Sequence, residues 1–324
     1  MEKIRIGIVG YGNVGRGVEK AVNAAHDMEL CAFFTRRDPS QLETASPAVP
    51  VVRIEEMQSY QGKIDVMILC GGSATDLAEQ GPHFAAMFNI VDSFDTHAKI
   101  PQYFAAVNEA AKSTAAVISS GWDPGLFSLL RLISNSVLPD GDDYTFWGRG
   151  VSQGHSDAIR RISGVARAVQ YTVPVESAVA AVKSGSRPTL ATREKHTREC
   201  FVVLKDGADA AQIEREIKQM PNYFVDYDTT VTFISDAEFT AQHSAMPHGG
   251  MVFRSGNTGE NKQVIEFSLK LDSNPEFTGS VLAAYARAAH RLAEQGSFGA
   301  RTVLDIPPAY LSDKDHATLI STLL

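Results

Sequence analysis

Residues Ile4-Arg-Ile-Gly-Ile-Val9 lead directly into Gly10-Tyr-Gly12-Asn-Val-Gly15, and a predicted helix follows from Val14 to about Ala25. A G-x-G-x-x-G motif is weak evidence by itself, but here it occupies the turn between a strand and a helix. Gly10 permits a tight turn, Gly12 lets the backbone approach a pyrophosphate, and Gly15 allows the helix to pack closely on the strand. The stretch predicts a parallel α/β domain with a dinucleotide at a helix N-terminus. The alternative is a glycine-rich turn in another kind of α/β protein.

The second predicted strand, Leu30-Cys-Ala-Phe-Phe34, is followed by Thr35-Arg36-Arg37. In a site that prefers NAD, a carboxylate stands about 20 residues past the glycines and binds the ribose 2′-hydroxyl. A hydroxyl and two guanidinium groups can instead hydrogen-bond and neutralise a 2′-phosphate, which a carboxylate would repel. The pattern favours NADP over NAD, and the alternative is that the two arginines belong to a solvated loop.

Three further apolar runs each end in small or polar residues, as the strands of an open α/β sheet do. The runs and the residues after them are Val66–Cys70 before Gly71-Gly72-Ser73, Asn89–Asp92 before Ser93-Phe94-Asp95, and Ala116–Ser119 before Ser120-Gly121-Trp122-Asp123-Pro124. Because ligands bind beyond the carboxyl ends of the strands in such sheets, we expect these loops to border one crevice. Two carboxylates, Asp95 and Asp123, stand on them.

After Gly125 the alternation of strand and helix fades, and strands with period-two alternation mix with helices. The predicted strands are Tyr144–Trp147, Arg198–Leu204, Thr229–Ile234, Gly249–Phe253 and Gln263–Leu271, and the predicted helices are Ser156–Arg161, Val175–Ser184, Ala208–Met220 and Val281–Gln295. We therefore predict the fold class α/β, with a Rossmann-like dinucleotide-binding domain over residues 1–124 and an α+β substrate-binding and dimerisation domain over residues 125–298. The segment from about 299 to 324 is expected to return to the first domain.

Composition bounds the function classes. The 324 residues suffice for two domains with buried cores. The formal charge of −8 opposes binding to nucleic acid or to an anionic membrane surface. No apolar run approaches the roughly 20 residues of a membrane span, and the charges before and within the first apolar run leave no secretory h-region. We expect a cytoplasmic protein without nucleic-acid or membrane partners. Neither a metal-ligand spacing such as H-E-x-x-H nor a G-x-S-x-G elbow occurs, so a nicotinamide must carry the chemistry and no metal is expected.

Polar residues of the second domain are candidates for holding a charged substrate. Val151-Ser-Gln153-Gly154-His155-Ser-Asp157 is interpreted as a binding loop whose backbone amides can hold a carboxylate. Trp147 is either an apolar wall of the site or an ordinary core aromatic residue. His248, in the turn Met246-Pro-His-Gly-Gly250, and Arg198, at the start of a strand, are equally well explained as a loop residue and a solvated edge residue.

These motifs together resemble meso-diaminopimelate dehydrogenases from residue 3 to about residue 310. The resemblance rests on Ile8-Val-Gly-Tyr-Gly-Asn-Val-Gly-Arg16, Phe34-Thr-Arg-Arg37, Ser119-Ser-Gly-Trp-Asp-Pro-Gly125, Phe146-Trp-Gly148, Ser152-Gln-Gly-His-Ser-Asp157 and Met246-Pro-His-Gly-Gly250. The first motif is generic to dinucleotide binders, whereas the Gly-Trp-Asp-Pro-Gly and Ser-Gln-Gly-His-Ser-Asp segments are far more specific. The resemblance implies a homodimeric enzyme that reduces NADP while the D-configured centre of meso-2,6-diaminopimelate becomes a 2-oxo acid with release of ammonia.

The resemblance also implies roles for individual residues. Catalytic roles fall to Asp95 and Asp123. Substrate contacts are implied for Asp95, Asp123, Trp147, Gln153, Gly154, Thr172, Arg198, His248 and Asn274. The residues expected to bind the cofactor are Gly10, Tyr11, Gly12, Asn13, Val14, Gly15, Thr35, Arg36, Arg37, Cys70, Gly71, Gly72, Ser73, Ser93, Phe94, Gly121, Trp122 and Pro124.

Three alternatives remain open on the sequence. The first is a D-amino acid dehydrogenase of the same family with a broader range, for which Arg198, Thr172 and His248 would be dispensable. The second is a reductase of a cyclic imine similar to dihydrodipicolinate reductase, although its basic substrate-loop cluster is absent. The third is a non-catalytic NADP-binding sensor, which would need no converging acids.

Overall fold

The computed structural model describes residues 2–324. The strands are β1 (Ile4–Val9), β2 (Met28–Thr35), β3 (Val51–Arg53), β4 (Val66–Leu69), β5 (Asn89–Asp92), β6 (Ala115–Val117), β7 (Gly141–Trp147), β8 (Gly150–Val151), β9 (Val165–Pro174), β10 (His196–Leu204), β11 (Asp228–Phe233), β12 (His248–Thr258), β13 (Asn261–Leu271) and β14 (Gly299–Arg301). The α-helices are α1 (Asn13–Ala24), α2 (Ala78–Ala85), α3 (Ile100–Ala110), α4 (Leu126–Val137), α5 (Gln153–Arg160), α6 (Glu176–Lys183), α7 (Thr192–Lys195), α8 (Ala210–Gln219), α9 (Asp236–Gln242), α10 (Asn274–Glu294) and α11 (His316–Leu323). None of the helices in this part of the chain is both long and apolar enough to cross a bilayer.

The chain divides into two compact units. The first contains the residues up to Leu129 together with Pro275–Leu324, and the second contains Leu130–Asn274. The first unit holds a seven-stranded parallel sheet in the order β14-β6-β5-β4-β1-β2-β3. Its central strands are buried on both faces, as the neighbouring residues Ile8 and Val9 of β1 and the whole of β4 show. Apolar runs without alternation are typical of parallel strands that are covered by helices on both sides. The predicted Rossmann-like fold is confirmed.

The predicted domain limits need correction. The long helix α10 packs with the first unit, so the assignment of residues 275–298 to the second domain is wrong. The reason is a close contact between two glycines: a Cβ atom on Gly279 of α10 would lie 2.3 Å from the carbonyl carbon of Gly17 of α1. Without side chains at these positions, the two helix backbones touch, and Leu282 and Ala286 of α10 enter the core beneath β1. After α10, the strand β14 pairs in parallel with β6.

The second unit contains two sheets. One has four strands in the order β11-β10-β9-β8, and the other has three antiparallel strands in the order β13-β12-β7. In the first of these, β10 pairs antiparallel with β9 and parallel with β11. Helices α5 and α8 supply Ile159, Ile213 and Ile217 to the core of that sheet. The α+β character predicted for this part of the chain is confirmed.

Candidate active site

The glycine-rich turn joins β1 to α1 in the way that the motif requires. Gly10 has a φ of +88°, and its N–H donates to the carbonyl of Phe34 at 2.9 Å. A Cβ atom on Gly15 would lie 2.3 Å from the carbonyl oxygen of Gly10, so only glycine fits there. A Cβ atom on Gly12, in contrast, would meet nothing within 4 Å. Gly12 therefore opens onto free space at the positive end of α1, where a phosphate group can approach the backbone.

A cavity of about 270 Å³ lies beside this turn and within the first unit. Its lining residues are Val9, Gly10, Tyr11, Gly12, Phe34, Thr35, Arg36, Arg37, Ile54, Cys70, Gly71, Gly72, Asp76 and Gln80. The structure thus brings together nine of the eighteen residues that the sequence analysis places around the expected cofactor site. Tyr11 contributes backbone rather than side chain, since its ring is buried against Phe33 and its hydroxyl donates to Glu19 at 2.5 Å.

The two arginines after β2 are held differently. Arg37 donates from Nη2 to the carbonyl of Tyr11 at 3.0 Å, and its backbone N–H donates to the Thr35 hydroxyl at 3.1 Å. Arg36 is 65% exposed and forms a 2.8 Å ion pair with Asp76, whose other oxygen accepts from the N–H of Gly72 at 3.1 Å. Arg36 can exchange this partner for a phosphate, because a partly exposed ion pair contributes little stability.

The loops after β5 and β6 carry the two candidate catalytic carboxylates. Because β5 and β6 are adjacent and parallel, Asp95 and Asp123 follow neighbouring strands at the same edge of the sheet. The backbone N–H of Asp95 donates to the hydroxyl of Ser73 at 2.9 Å. A Cβ atom on Gly121 would lie 3.5 Å from Cβ of Ser93, so the two loops are also in contact with each other. Asp95 is exposed and Asp123 is half-buried.

Aromatic side chains in these loops face the core. Phe94 is 1% exposed and stacks on Tyr103 with ring centroids 4.1 Å apart. Trp122 is 7% exposed and meets Phe127 edge to face. The two buried aromatic rings thus anchor the loops against the core.

In the second unit, three candidate residues lie next to one another. The pairing register sets Gly150 of β8 opposite Thr172 of β9, and Thr172 opposite Arg198 of β10. A Cβ atom on Gly150 would lie 2.5 Å from Nδ1 of His248, so the imidazole of His248 covers this glycine. The structure therefore brings Thr172, Arg198 and His248 into one row.

Arg198 is a buried cation. Its side chain is 6% exposed, and its guanidinium donates from Nη1 to the hydroxyl of Thr172. The guanidinium carbon lies 3.8 Å from the centroid of the Tyr227 ring, and Nε is buried without a hydrogen-bond partner. Burial lowers the pKa of Arg198. Among residues 2–324 no carboxylate pairs with it. Since an uncompensated buried charge is costly, Arg198 is suited to an incoming anion.

The segment predicted as a binding loop begins a helix instead. Residues 153–160 form α5 with Ser152 as its N-cap residue, so the helix predicted from Ser156 begins three residues earlier and the loop interpretation of residues 153–155 is wrong. The Ser152 hydroxyl makes no capping hydrogen bond and lies 2.8 Å from Nδ1 of His155 instead. The backbone amides at the start of this helix can still bind a carboxylate, as expected for a loop. The first N–H groups of a helix lack partners within it, and a Cβ atom on Gly154 would meet nothing within 4 Å.

The remaining candidates surround the same region of the second unit. Gln153 donates from Nε2 to the sulfur of Met246 at 3.3 Å, and the N–H of Asn274 donates to the carbonyl of Met246 at 3.0 Å. Trp147 is 39% exposed and stacks on His196 with ring centroids 5.4 Å apart, so it is a surface aromatic residue rather than a core one. No group of three or more His, Cys, Asp or Glu side chains that could hold a metal occurs in the described part of the chain.

Comparison with known proteins decides the family. The model of the diaminopimelic acid dehydrogenase C-terminal domain matches residues 121–273. The meso-diaminopimelate D-dehydrogenase of Ureibacillus thermosphaericus is 63% identical over 100% of both chains. This protein belongs to the meso-diaminopimelate D-dehydrogenase family. Among solved structures, the Corynebacterium glutamicum DAP dehydrogenase in complex with DAP superposes with a TM-score of 0.92 at 45% identity, covering 100% of both chains. An engineered D-amino acid dehydrogenase bound to NADP+ superposes with a TM-score of 0.86 at 44% identity, covering 99% of this chain and 100% of the other.

Two further residues lie next to the candidate residues Arg198 and Trp147 and could not be predicted from the sequence. Tyr227 lies against Arg198, and His196 accepts a 2.8 Å hydrogen bond at Nε2 from the backbone N–H of Trp147. Neither belongs to a motif. Tyr227 reaches Arg198 only because β11, which it precedes, pairs in parallel with β10. Strand pairing between segments far apart in sequence carries no local signal.

One buried histidine, His196, and one half-buried histidine, His155, make the stability of this diaminopimelate dehydrogenase depend on pH. Burial, with a contribution from the Arg198 charge, lowers the pKa of His155 and of His196 to about 4. The unfolded chain binds these protons at a pKa of about 6.5 and the folded chain does not, so the free energy of unfolding rises with pH between 4 and 6.5. We expect stability to fall as the pH drops from 6.5 toward 4. Histidine-selective NMR titration checks this expectation, and midpoints near 6.5 for both imidazoles would contradict it.

Proposed function

We propose that this protein catalyses the reversible NADP-dependent oxidative deamination of the D-centre of meso-2,6-diaminopimelate, which yields L-2-amino-6-oxopimelate and ammonia. The observation that carries the proposal is the buried guanidinium of Arg198, which bonds to Thr172 and has an Nε without a hydrogen-bond partner. A buried cation of this kind, near Thr172 and His248, suits the carboxylate of a substrate. A second carboxylate, distant from the reacting centre, distinguishes diaminopimelate from simple amino acids. The family relationship supports the same reaction.

NADP fits the first unit on structural grounds. The open space over Gly12 accommodates a phosphate that a side chain would exclude. Thr35, Arg36 and Arg37 line the adjacent cavity with one hydroxyl and two cations, which suits a 2′-phosphate. The engineered relative bound to NADP+ supports the same choice. When it is bound, the nicotinamide supplies the hydride acceptor, and the chain's residues supply binding and proton control.

The proposed chemistry is a removal of one proton and one hydride followed by hydrolysis. A hydride leaves carbon readily only when the attached nitrogen is a neutral amine that can become an imine. Asp123 and Asp95 are assigned to attract the D-centre ammonium and to accept its proton. Loss of the hydride from the D-carbon to NADP leaves a protonated imine, and addition of water with loss of ammonium completes the 2-oxo acid. Asp95 is exposed and Asp123 is half-buried at this edge of the sheet.

The second unit is assigned to the carboxylates of the substrate. The N-terminal amides of α5, near Gln153 and Gly154, suit the carboxylate of the D-centre. Arg198 suits the distal carboxylate through charge-assisted hydrogen bonds, with Thr172 and His248 beside it. The remaining candidates are an apolar wall at Trp147 and a polar contact at Asn274.

The broader D-amino acid dehydrogenase is the second candidate. It would reduce NADP with one-ended substrates such as D-alanine. Such a substrate leaves Arg198 buried and without an anion, which costs free energy that the diaminopimelate complex recovers. The geometry around Arg198 therefore favours the two-ended substrate.

The test measures the amounts of NADPH and ammonia formed and compares kcat/KM between two substrates. With meso-2,6-diaminopimelate and NADP, we expect one NADPH and one ammonia for each substrate consumed, and much slower reduction of NAD. D-lysine keeps the distal ammonium of meso-2,6-diaminopimelate but lacks its distal carboxylate, so it serves as the comparison. Equal kcat/KM for D-lysine and diaminopimelate would favour the broader enzyme.

Coenzyme choice gives a separate prediction. Replacing Arg36 by Ala removes one charge-assisted contact to a 2′-phosphate, so KM for NADP is expected to rise by about 10- to 100-fold. KM for NAD should change little, because NAD lacks that phosphate. The matched control is Arg53→Ala, which removes an arginine on the neighbouring strand that does not line the cavity. An equal rise of KM for both coenzymes would contradict the assignment of Arg36.

We also propose a cytoplasmic homodimer. The second half of α4 exposes Leu132, Ile133 and Val137, an apolar surface that a second copy can cover. The three cysteines are free thiols, which suits a reducing compartment. Sedimentation equilibrium should give twice the mass of the 35.1 kDa chain, and a monomer at micromolar concentration would refute this assembly.

A further inference from the structure

Asp92, the last residue of β5, is a carboxylate that the proposed reaction does not use. Its side chain is fully buried, and burial raises its pKa. Three groups donate to it: the Tyr103 hydroxyl at 2.6 Å, the Phe94 N–H at 2.9 Å and the Ser119 N–H at 3.0 Å. The backbone carbonyl of Asp92 also accepts from the N–H and the hydroxyl of Ser120, at 2.9 and 2.8 Å.

These hydrogen bonds join the two loops that carry the candidate catalytic acids. Phe94 directly precedes Asp95, while Ser119 and Ser120 begin the loop that ends in Asp123. Ser119 has a φ of +53°, a left-handed conformation that non-glycine residues adopt only when their surroundings enforce it. The carboxylate that accepts its N–H is part of that enforcement. Asp92 is thus hydrogen-bonded to both loops from the buried side of the sheet edge.

The neighbourhood of Asp92 is built around its partner Tyr103. The ring of Tyr103 on α3 stacks on Phe94, which extends the hold on the first loop. Space for the hydroxyl is provided by Gly81 on α2, where a Cβ atom would lie within 1.9 Å of the Tyr103 oxygen. Burial and the adjacent Asp92 carboxylate raise the pKa of Tyr103, so its hydroxyl stays a donor.

We propose that Asp92 is a positioning residue, which fixes the β5 and β6 loops in one arrangement so that Asp95 and Asp123 act on the same substrate centre. This inference rests on the proposed function and deepens it. Asp92 is buried beneath the loops and acts through them rather than on the substrate. Small displacements matter here, because a misplacement of about 1 Å in a catalytic group can cost about 100-fold in rate.

Two substitutions separate the hydrogen bonds of Asp92 from its charge. In Asp92→Asn the amide oxygen can still accept both N–H groups, and its nitrogen can donate to the Tyr103 oxygen. In Asp92→Ala the N–H groups of Phe94 and Ser119 lose their partner. The positioning role requires activity to survive in the first variant and to fall in the second.

Asn89 provides a matched control at the other end of the same strand. Its side chain also joins neighbouring strands, donating to the Asp65 carbonyl at 2.8 Å and accepting from the Ala115 N–H at 2.9 Å. It lies at the amino end of β5, away from the edge where ligands bind in such sheets. Asn89→Ala therefore removes comparable hydrogen bonds and should lower stability without disturbing the two loops.

The experiment measures kcat, KM for each substrate, thermal unfolding and amide exchange of residues 119–125 in all three variants. We expect Asp92→Ala to lower kcat by about 10- to 100-fold with little change in NADP affinity. Asp92→Asn should regain most of kcat, and Asn89→Ala should lower the unfolding temperature while kcat stays close to wild type. Equal losses of kcat in Asp92→Ala and Asn89→Ala would overturn the proposal.

Two further readouts keep the inference testable on its own. If Asp92→Ala does not fold, Tyr103→Phe removes a single donor without a cavity and should lower kcat by about 2- to 10-fold. Amide exchange needs no activity, so it also separates this inference from the proposed reaction. Amide exchange in residues 119–125 should be faster in Asp92→Ala than in the wild type, and it should be unchanged in Asn89→Ala. Unchanged exchange would refute the positioning role even if the enzyme is active, whereas an inactive wild type would refute only the proposed function.

Discussion

Asp123→Asn is expected to lower kcat with meso-2,6-diaminopimelate by about 100- to 10,000-fold, the range that loss of a general base produces. The amide has the shape of the carboxylate but cannot take a proton from the substrate ammonium. The loop should keep its form, because its tight turn depends on glycines: a Cβ atom on Gly125 would lie within 1.6 Å of the Gly121 carbonyl oxygen. The measurement is steady-state kcat at saturating substrate and NADP, with NADP affinity determined separately.

The control for this prediction is Asp206→Asn, which neutralises an exposed carboxylate of the second unit. Asp95→Asn is the companion variant, since Asp95 follows the neighbouring strand. If kcat of Asp123→Asn stays within about threefold of wild type while Asp95→Asn is inactive, the proton is taken by Asp95 alone. If both variants retain full activity, neither carboxylate is the base.

Arg198→Met is expected to lower kcat/KM for diaminopimelate on the order of 100- to 1,000-fold, because it leaves the distal carboxylate without its buried cationic partner. The same change should leave the free enzyme equally stable or more stable. Arg198 is buried beside Tyr227 with an unsatisfied Nε, and no carboxylate of residues 2–324 pairs with it. Replacing such a group by an apolar one removes a desolvation cost. Loss of function combined with unchanged or increased stability is the signature of a residue kept for its ligand.

The measurement pairs kinetics with thermal unfolding. Arg193→Met serves as the control, since Arg193 is exposed and forms only a 3.8 Å ion pair with Asp228. A marked loss of stability in Arg198→Met with an unchanged kcat/KM would show that Arg198 is structural. Activity with D-alanine should be insensitive to the substitution, because that substrate has no distal carboxylate.

The sequence could predict the features whose causes are local. The turn from Val9 to Gly15 was predictable because its glycines answer steric demands within a few residues, and the structure shows the resulting close approach at Gly15. The arginines after β2 were predictable for the same reason, since the distance from the glycines is set by one strand–helix–strand unit.

Features set by distant contacts were not predictable. Helix α10 was assigned to the wrong unit because its position depends on the contact between Gly279 and Gly17, more than two hundred residues apart. Strand β9, Val165–Pro174, was missed, although it is the central partner that sets Thr172 beside Arg198. Its alternation is weak because several of its residues are buried on both faces. Family resemblance, rather than periodicity, supplied Thr172.

The most direct test of the central claim follows NADPH formation with the meso, LL and DD isomers of 2,6-diaminopimelate, alongside D-alanine and D-lysine. The proposed site requires a D-centre for the reaction and a second carboxylate for Arg198. We therefore expect activity with the meso isomer, none with the LL isomer, and meso strongly preferred over any other substrate bearing a D-centre. Comparable rates with D-alanine, or reduction of NADP with the LL isomer, would contradict this account of the site.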